Sequence, residues 1–571
     1  MSGRLNDKVN ILAAITDENV PLQPEGNTQQ LQDFDKVFIQ LYNDRTKLIA
    51  GDFELRRPDS YFMSFFKKGQ GAYFTTSFDV GHFDKFSDRG LSPSKPRAVN
   101  RIGGNVAVSK GKFARNVVAA SEGNQGPYQL KGTNNESFII VLAGTEKVYI
   151  DGMPMQRGLL NDYTIDYNTA EVTFTARRLI TKDSRIVVEF EYSEKNYARS
   201  LLYFIDEFET QKYKIKFNVY SEQDSKNQPL LQELDSAKKA TLASVGDSTD
   251  QAFYPTADSI AFTSDEVLYA KIDTTASSVF YPGVFVYSTN PDSAHYRVSF
   301  SNVGAGKGDY VQDINSANGR VFKWVSPDSA TGAHLGNYEP VMLLIAPKQQ
   351  QLFTLGSDVQ ISKYNKAGAE VALSNNNVNL FSTKNKSDDK GYAAKLFYQN
   401  IALLDADSVR GWQLTSTFNY EYTNKDFKPI ERYRNVEFER DWNLGTSTIY
   451  NDENIGSANI ALSKLSIGSI SYLVKSYMKG SAYNGLLHGA GMNGKVANFV
   501  LNANGSLLNT KGTLNRTQYY KHNADLSRNV WKLTLGVKEN TENNEIKLKT
   551  SDTLSAASFF FREDRKSTRL N

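Results

Sequence analysis

The chain of 571 residues contains no cysteine. Disulfide scaffolds, thiolate zinc sites, iron–sulfur clusters and cysteine nucleophiles are thereby excluded. Histidine is nearly as scarce, at 5, and no two histidines lie within one helical turn, which removes the zinc-hydrolase motifs. Neither charge sign dominates. The 66 Lys+Arg stand against 63 Asp+Glu, a net charge of +3, which argues against a strongly basic nucleic-acid binder and against an acidic tail protein. Long apolar runs are missing too. Stretches such as 138–143 and 341–346 fall far short of the ~20 residues of a membrane helix, and mean hydropathy is −0.48. A membrane β-barrel remains open, because its strands alternate and average out as polar.

What is present favours strands. Phe 33, Tyr 31 and Trp 4 make the chain 12% aromatic, with only 15 prolines. Aromatic and β-branched residues suit a pleated surface, and Gly and Asn supply its turns. The dominant pattern has a period of two. In 412–422, Trp412, Leu414, Phe418, Tyr420 and Tyr422 share one face, opposite Gln413, Thr415, Thr417, Asn419 and Glu421. In 212–220, Tyr213, Ile215, Phe217 and Val219 oppose Lys212, Lys214, Lys216 and Asn218. In 530–538, Trp531, Leu533, Leu535 and Val537 oppose Lys532, Thr534, Gly536 and Lys538. Segments 375–377, 424–426, 451–454, 509–512 and 542–545 read as hairpin loops.

Strands of this length match those that cross a bilayer with tilt. The apolar faces carry aromatics where an interface belt would sit: Trp412, Phe418, Tyr420, Tyr422, Trp442, Trp531, Tyr213 and Phe217 are the expected lipid-facing or interface residues. Lys212, Lys214 and Lys216 form the expected polar face: in a barrel they would face a lumen or a loop and could bias passage toward anions, and in a soluble sheet they are the wet face. Lys67 and Lys68, beside Phe65 and Phe66, read as snorkelling interface anchors. The same alternation also describes a soluble β-sandwich or lipocalin-type barrel.

The fold expected is all-β: an antiparallel transmembrane β-barrel, complete or truncated, with inserted β-sandwich domains. Residues 1–126 read as N-terminal barrel strands, 127–195 as a small inserted β-sandwich containing the hairpin signal Asp151-Gly152, and 196–223 as further barrel strands. Residues 224–350 read as a second inserted, Ig-like β-domain with one short helix at 230–243. Residues 351–561 complete the barrel strands and hairpins, and 562–571 is a charged, non-periodic, non-native-looking tail. The first ten residues lack the apolar core of a secretory signal, so the expectation is a fragment from which the signal peptide is missing.

Chemistry-bearing motifs are sparse. No nucleophile elbow, P-loop or dinucleotide fingerprint occurs. Residues 304–308 lack the P-loop spacing and read as a turn. Asp405 and Asp407, and likewise Asp247 and Asp250, lack the later Gly and Glu of an EF-hand. The reading is therefore no enzyme, no cofactor and no metal.

The phrases at 51–55, 61–71, 144–152 (GTEKVYIDG), 161–167 (NDYTIDY) and 184–192 (SRIVVEFEY) resemble large, uncharacterised outer-membrane β-barrel proteins of the Bacteroidota. A looser similarity links them to the giant secretion barrel used in gliding motility. The resemblance implies a cell outer-membrane location and a non-enzymatic role in transport, secretion or surface assembly. The partners it implies are outer-membrane lipid, the barrel-assembly machinery and a surface or periplasmic protein, without nucleic acid. The alternative is a secreted or surface-attached β-rich binding protein or adhesin.

Overall fold

The computed structural model describes residues 2–14, 37–80, 98–133, 136, 139–193, 196–313, 321–405, 411–444, 449–496, 498–513, 515–530, 533–548 and 559–570. It is all-β, with 61% strand and 3% helix. Nineteen strands form one antiparallel sheet. They are β1 (Ser2–Asn6), β2 (Val9–Ala14), β3 (Phe38–Tyr42), β4 (Thr46–Arg56), β5 (Phe66–Val80) and β6 (Ala98–Ser109). After seven strands that belong elsewhere, β7 to β13, come β14 (Tyr197–Thr210) and β15 (Tyr213–Pro229). Ten further short strands, β16 to β25, lie between Phe253 and Leu343. The large sheet then resumes with β26 (Gln349–Ser362), β27 (Asn365–Asn377), β28 (Lys390–Leu403), β29 (Gln413–Thr423), β30 (Glu453–Lys464) and β31 (Gly468–Lys479). It ends with β32 (Tyr483–Val496), β33 (Phe499–Gly512), β34 (Asn515–Val530), β35 (Leu533–Leu548) and β36 (Phe559–Leu570).

Every sheet strand pairs with its neighbour in this order, including across the two inserts, where β6 meets β14 and β15 meets β26. Such a meander follows from short connections between strands of period-two sequence. The ladder starts at β1 and ends at β36. Among the described residues no rung joins the two. Several strands run farther than the sequence pattern suggests. Residues 542–545 lie inside β35, and 509–512 inside β33, not in hairpin loops. Residues 562–570, read above as a non-periodic tail, are part of β36 and pair with β35.

One face of the sheet is concave. A single buried cluster draws Ile49 and Phe53 from β4, Ala107 from β6, Leu201 and Tyr203 from β14, Tyr220 from β15, Leu352 from β26, Ala372 from β27 and Ala393 from β28. All of these surround Phe62, Met63, Phe65, Phe427 and Ile430, which lie in two connections folded against that face. Strands so widely separated in a meander reach a common core only if the sheet wraps around it.

The first insert starts earlier than its sequence suggests. Strand β7 (Lys112–Ala119) pairs along its length with β13 (Arg185–Tyr192), and not with the large sheet. A four-stranded and a three-stranded sheet pack face to face over a core that includes Leu130, Val148, Ile165, Val172, Phe174, Ile186 and Phe190. The Asp151-Gly152 turn joins β9 (Lys147–Ile150) to β10 (Met153–Pro154), with φ of 50° and 78°. Positive φ at both centres is what this dipeptide favours. Residues 139–142, by contrast, form no ladder strand; Val141 makes an isolated bridge to Tyr192.

The second insert lies between Pro229 and Gln349. Its helix α1 is Ser236–Ser244, shorter than the expected 230–243, because Asp235 caps it by accepting from the Lys238 amide at 2.8 Å. Two four-stranded sheets pack over one apolar cluster around Tyr269, Phe285 and Tyr310, and a two-stranded sheet and the helix share a second cluster near Leu242.

Candidate functional site

The sheet has two chemically opposed faces, set by strand parity. On the convex face large apolar side chains stand exposed in cross-strand rows. One row runs Phe204, Val219, Phe353, Leu373, Tyr392 over five strands. Another places Ile470 beside Met492 and Ala503. Phe418 is 49% exposed and Val371 49%, and Tyr213, Phe217 and Tyr420 stand on the same face, exposed. Tyr422 shares it, half-buried, with its Oη donating to Asp452 at 2.8 Å. Trp412 precedes β29, with the Lys464 ammonium 5.6 Å from its ring centre and its amide bonded to Asp405. Trp531 and Asp407 lie outside the described residues.

Trp442 departs from the expectation. It is 2% exposed, packed with Tyr477, Tyr483, Leu508 and Tyr519 on the concave face. The chain leaves the sheet at Thr423 and rejoins it at Glu453, and β29 pairs directly with β30. Residues 424–426 therefore open a long inward connection and not a hairpin. Its part from 424 to 444, here called the strap, crosses the concave face and includes helix α2 (Phe438–Asp441) near its end.

The concave wall meets the strap with ion pairs. Glu421 accepts from Arg434 at 2.6 and 2.9 Å, from Tyr61 Oη at 2.6 Å and from Tyr433 Oη at 3.2 Å. Arg434 also pairs with Glu453, whose second oxygen takes Lys479 at 2.9 Å. Farther along, Arg440 meets Glu542 at 2.6 Å, Lys521 meets Asp441 at 3.0 Å, and Asn443 and Asn544 exchange amide bonds. Burial alone would destabilise such charges, and partnered hydrogen bonds offset that cost. In front of β27, Glu370 accepts from Ser60 Oγ and the Tyr61 and Phe62 amides, fixing the second inward connection.

The lysines expected on a polar face or in a loop divide between the two. Lys212 sits in the β14–β15 turn, exposed. Lys214 and Lys216 do face the concave side, but each is paired: Lys214 with Asp59 at 2.9 Å, and Lys216 with Asp358 at 2.9 Å and Asp59 at 3.4 Å. They offer no unneutralised cationic track. Lys67 is likewise no interface anchor. It is buried, 2.7 Å from Glu191 of the first insert and 3.8 Å from Glu222 of β15, while the adjacent Phe66 amide donates to Glu431 of the strap at 2.9 Å. Burial pushes the Glu431 carboxyl up to about 7, with the Glu191 charge adding to the effect; burial also raises Glu191.

The first insert clasps the strap from its other side. Glu189 binds Arg432 through two oxygens, one contact at 3.0 Å. Arg185 approaches Glu437 at 3.6 Å, and Arg115 donates to the Val436 carbonyl. Between the Asp151 turn, Arg440 and the wall of β33–β35 lies a polar cavity of ≈ 380 Å³. Asn504, Asn523 and Asn540 line it as a directly paired row.

Among the described residues the carboxylates of Asp247, Asp388 and Asp389 converge within 4.8 Å. The Lys386 ammonium lies 3.7 Å from Asp247 and 3.5 Å from Asp389, supplying the positive charge where a cation would sit. Residues 304–308 form a turn.

With this geometry in view, residues 113–194 match a domain of unknown function (DUF8818). The match coincides with the first insert almost residue for residue. No match is found among curated proteins.

The strap was not foreseen from sequence. Its signal was there: residues 431–442 scatter Tyr433, Phe438 and Trp442 among charged side chains without a strand-like apolar face, over a connection far too long for a hairpin.

Proposed function

We propose that this chain forms the wall of an outer-membrane β-barrel in a Gram-negative, Bacteroidota-like envelope, with a non-enzymatic role in transport, secretion or surface assembly. The observation that carries the reading is the outward set of exposed aliphatic and aromatic rows; on the inner face charged and amide side chains stand beside an apolar cluster that packs against the two inward connections. A water-soluble sandwich would place those apolar rows in its core. A lipid-facing wall wants them outward, with polar residues on the interior. Contiguous exposed apolar surface on this scale needs a partner phase, and lipid is the one that suits a convex face. Strands of 11 to 17 residues from β26 to β35 and in β15 exceed the ~9–11 needed to cross with tilt.

The alternative is a surface-attached β-rich binding protein, favoured by the two inserted domains. Expression behind a bacterial signal sequence, fractionation and gel electrophoresis with and without heating separates the two. Recovery in the outer membrane with heat-dependent mobility is the expected result. A soluble periplasmic product with a β-type spectrum would overturn the barrel and support the binding protein.

A further inference from the structure

We propose that the strap is a displaceable plug and that the first inserted domain is the latch that holds it. The proposal rests on the barrel reading and extends it to the state of the interior.

The first argument is topological. Strands β29 and β30 pair from Gln413 opposite Ser463 to Thr423 opposite Glu453. The strap leaves and re-enters the ladder at one point, so no rung of the sheet depends on it. Its movement breaks side-chain contacts and leaves the wall continuous.

The second argument concerns which contacts hold it. Phe427 and Ile430 at one end of the strap and Trp442 at the other are seated in apolar clusters, with Tyr433 and Phe438 packed against them. Between these anchors the strap is tied to the wall by ion pairs: Arg434 with Glu421 and Glu453, Arg440 with Glu542, Asp441 with Lys521. Such ion-paired groups are rehydrated when the stretch between the anchors swings into water, so its release is accessible in a way that release of the apolar anchors themselves is not.

The third argument is the surface uncovered. Behind and beside the strap the wall presents the paired row Asn504, Asn523, Asn540, with Ser506 and Thr541 around the cavity. Gly485, Gly489 and Gly491 on β32 add no side chains there. An amide-rich, uncrowded wall that also carries Lys521 and Glu542 suits hydrated polar solutes.

The fourth argument identifies the latch. Glu189, Arg185 and Arg115 all lie on the two paired strands β7 and β13 that root the insert in the sheet, and all three grip residues 432–437. A force or ligand that shifts the domain therefore acts directly on the strap.

The test uses the full chain in planar lipid bilayers, with the heat-dependent gel shift of each protein as an independent check of barrel formation. Four proteins are compared: wild type, a replacement of 427–444 by a short Gly/Ser linker, Glu189→Arg, and Glu189→Arg with Arg432→Glu. The wild type is expected to insert and stay nearly silent, and the linker protein to conduct steadily. Glu189→Arg should raise open probability by at least about tenfold, because like charges now face each other at a part-buried site. The double variant should return to near silence. A heat-modifiable wild type that conducts as freely as the linker protein would overturn the plug. Identical behaviour of the single and double charge variants would overturn the latch, even if the linker protein fails to fold. Absence of both gel shift and insertion in every protein would instead overturn the barrel reading, and the plug with it.

Discussion

Arg432 and Glu189, 243 residues apart in sequence, face each other as a two-pronged ion pair with one contact at 3.0 Å. The pair joins two parts of the chain that share no strand ladder. Arg432→Ala leaves Glu189, 5% exposed, with only the more distant Arg115 at 3.8 Å. The expected cost is about 1–3 kcal/mol at this contact. Faster hydrogen exchange at the amides of 433–441, without faster exchange in β33 or β34, is the measurement that checks it.

Burial pushes the Glu431 carboxyl up to about 7, well above the ordinary carboxylate range. A raised carboxyl binds its proton more tightly in the folded state. Its stabilising contribution is therefore complete below the unfolded value and is lost as pH rises through about 7. The shift corresponds to at most roughly 3 kcal/mol, an upper bound for a group crowded by other charges. The protein should melt at higher temperature at pH 5.5 than at pH 8, and Glu431→Gln should flatten that difference. An equal pH dependence in the variant would refute the assignment.

The two faces of β29 should respond oppositely to charge. Phe418→Lys puts an ammonium among the exposed apolar rows, and in a bilayer it should cost about 2–4 kcal/mol near the midplane. Thr417→Lys, on the concave side, should cost far less. Urea unfolding in lipid vesicles reads both. If Phe418→Lys instead improves the solubility of a lipid-free protein without loss of stability, the convex face does not meet lipid.

Trp442 and Trp412 provide a matched pair. Trp442→Ala empties a buried aromatic seat and should cost about 3–5 kcal/mol. Trp412→Ala removes a half-buried ring at a strand end and should cost under about 1 kcal/mol. Thermal unfolding of the two variants side by side decides it.

The first insert has its own two-sheet core, with Leu130, Val172, Ile180 and Ile186 all fully buried. Residues 112–194 expressed alone should unfold in one cooperative thermal transition. A molten spectrum without a transition would mean that the domain needs the strap and β5 for its fold.

The strands were legible where their two faces meet different surroundings. Segment 413–422 was readable because Phe418 and Tyr420 stand exposed and apolar while Glu421 opposite them is buried with Arg434. That contrast vanishes beyond the apolar rows, which is why 542–545, polar on both faces of β35, looked like a loop. Trp442 was misplaced for a different reason. A tryptophan near a strand end suits an interface belt, and nothing local reveals that the chain has already turned inward at Thr423. The lysine row was legible as to its face but not as to its pairing. Spacing put Lys214 and Lys216 on one face, but their neutralising partners Asp59 and Asp358 come from distant segments. Clusters such as Lys67, Glu191, Glu222 and Glu431 unite four separate stretches, and no window of sequence contains them.

The pairing of β6 with β14 across the first insert has an evolutionary corollary. Val108 lies opposite Ser200, and Lys112 opposite Tyr192, so the domain enters and leaves through adjacent residues at the end of an unbroken hairpin. To the sheet, 80-odd residues of extra protein count as the loop of a turn, and loop length is thermodynamically cheap. A lineage could therefore exchange, lengthen or delete that head without changing the strand pairing of the wall.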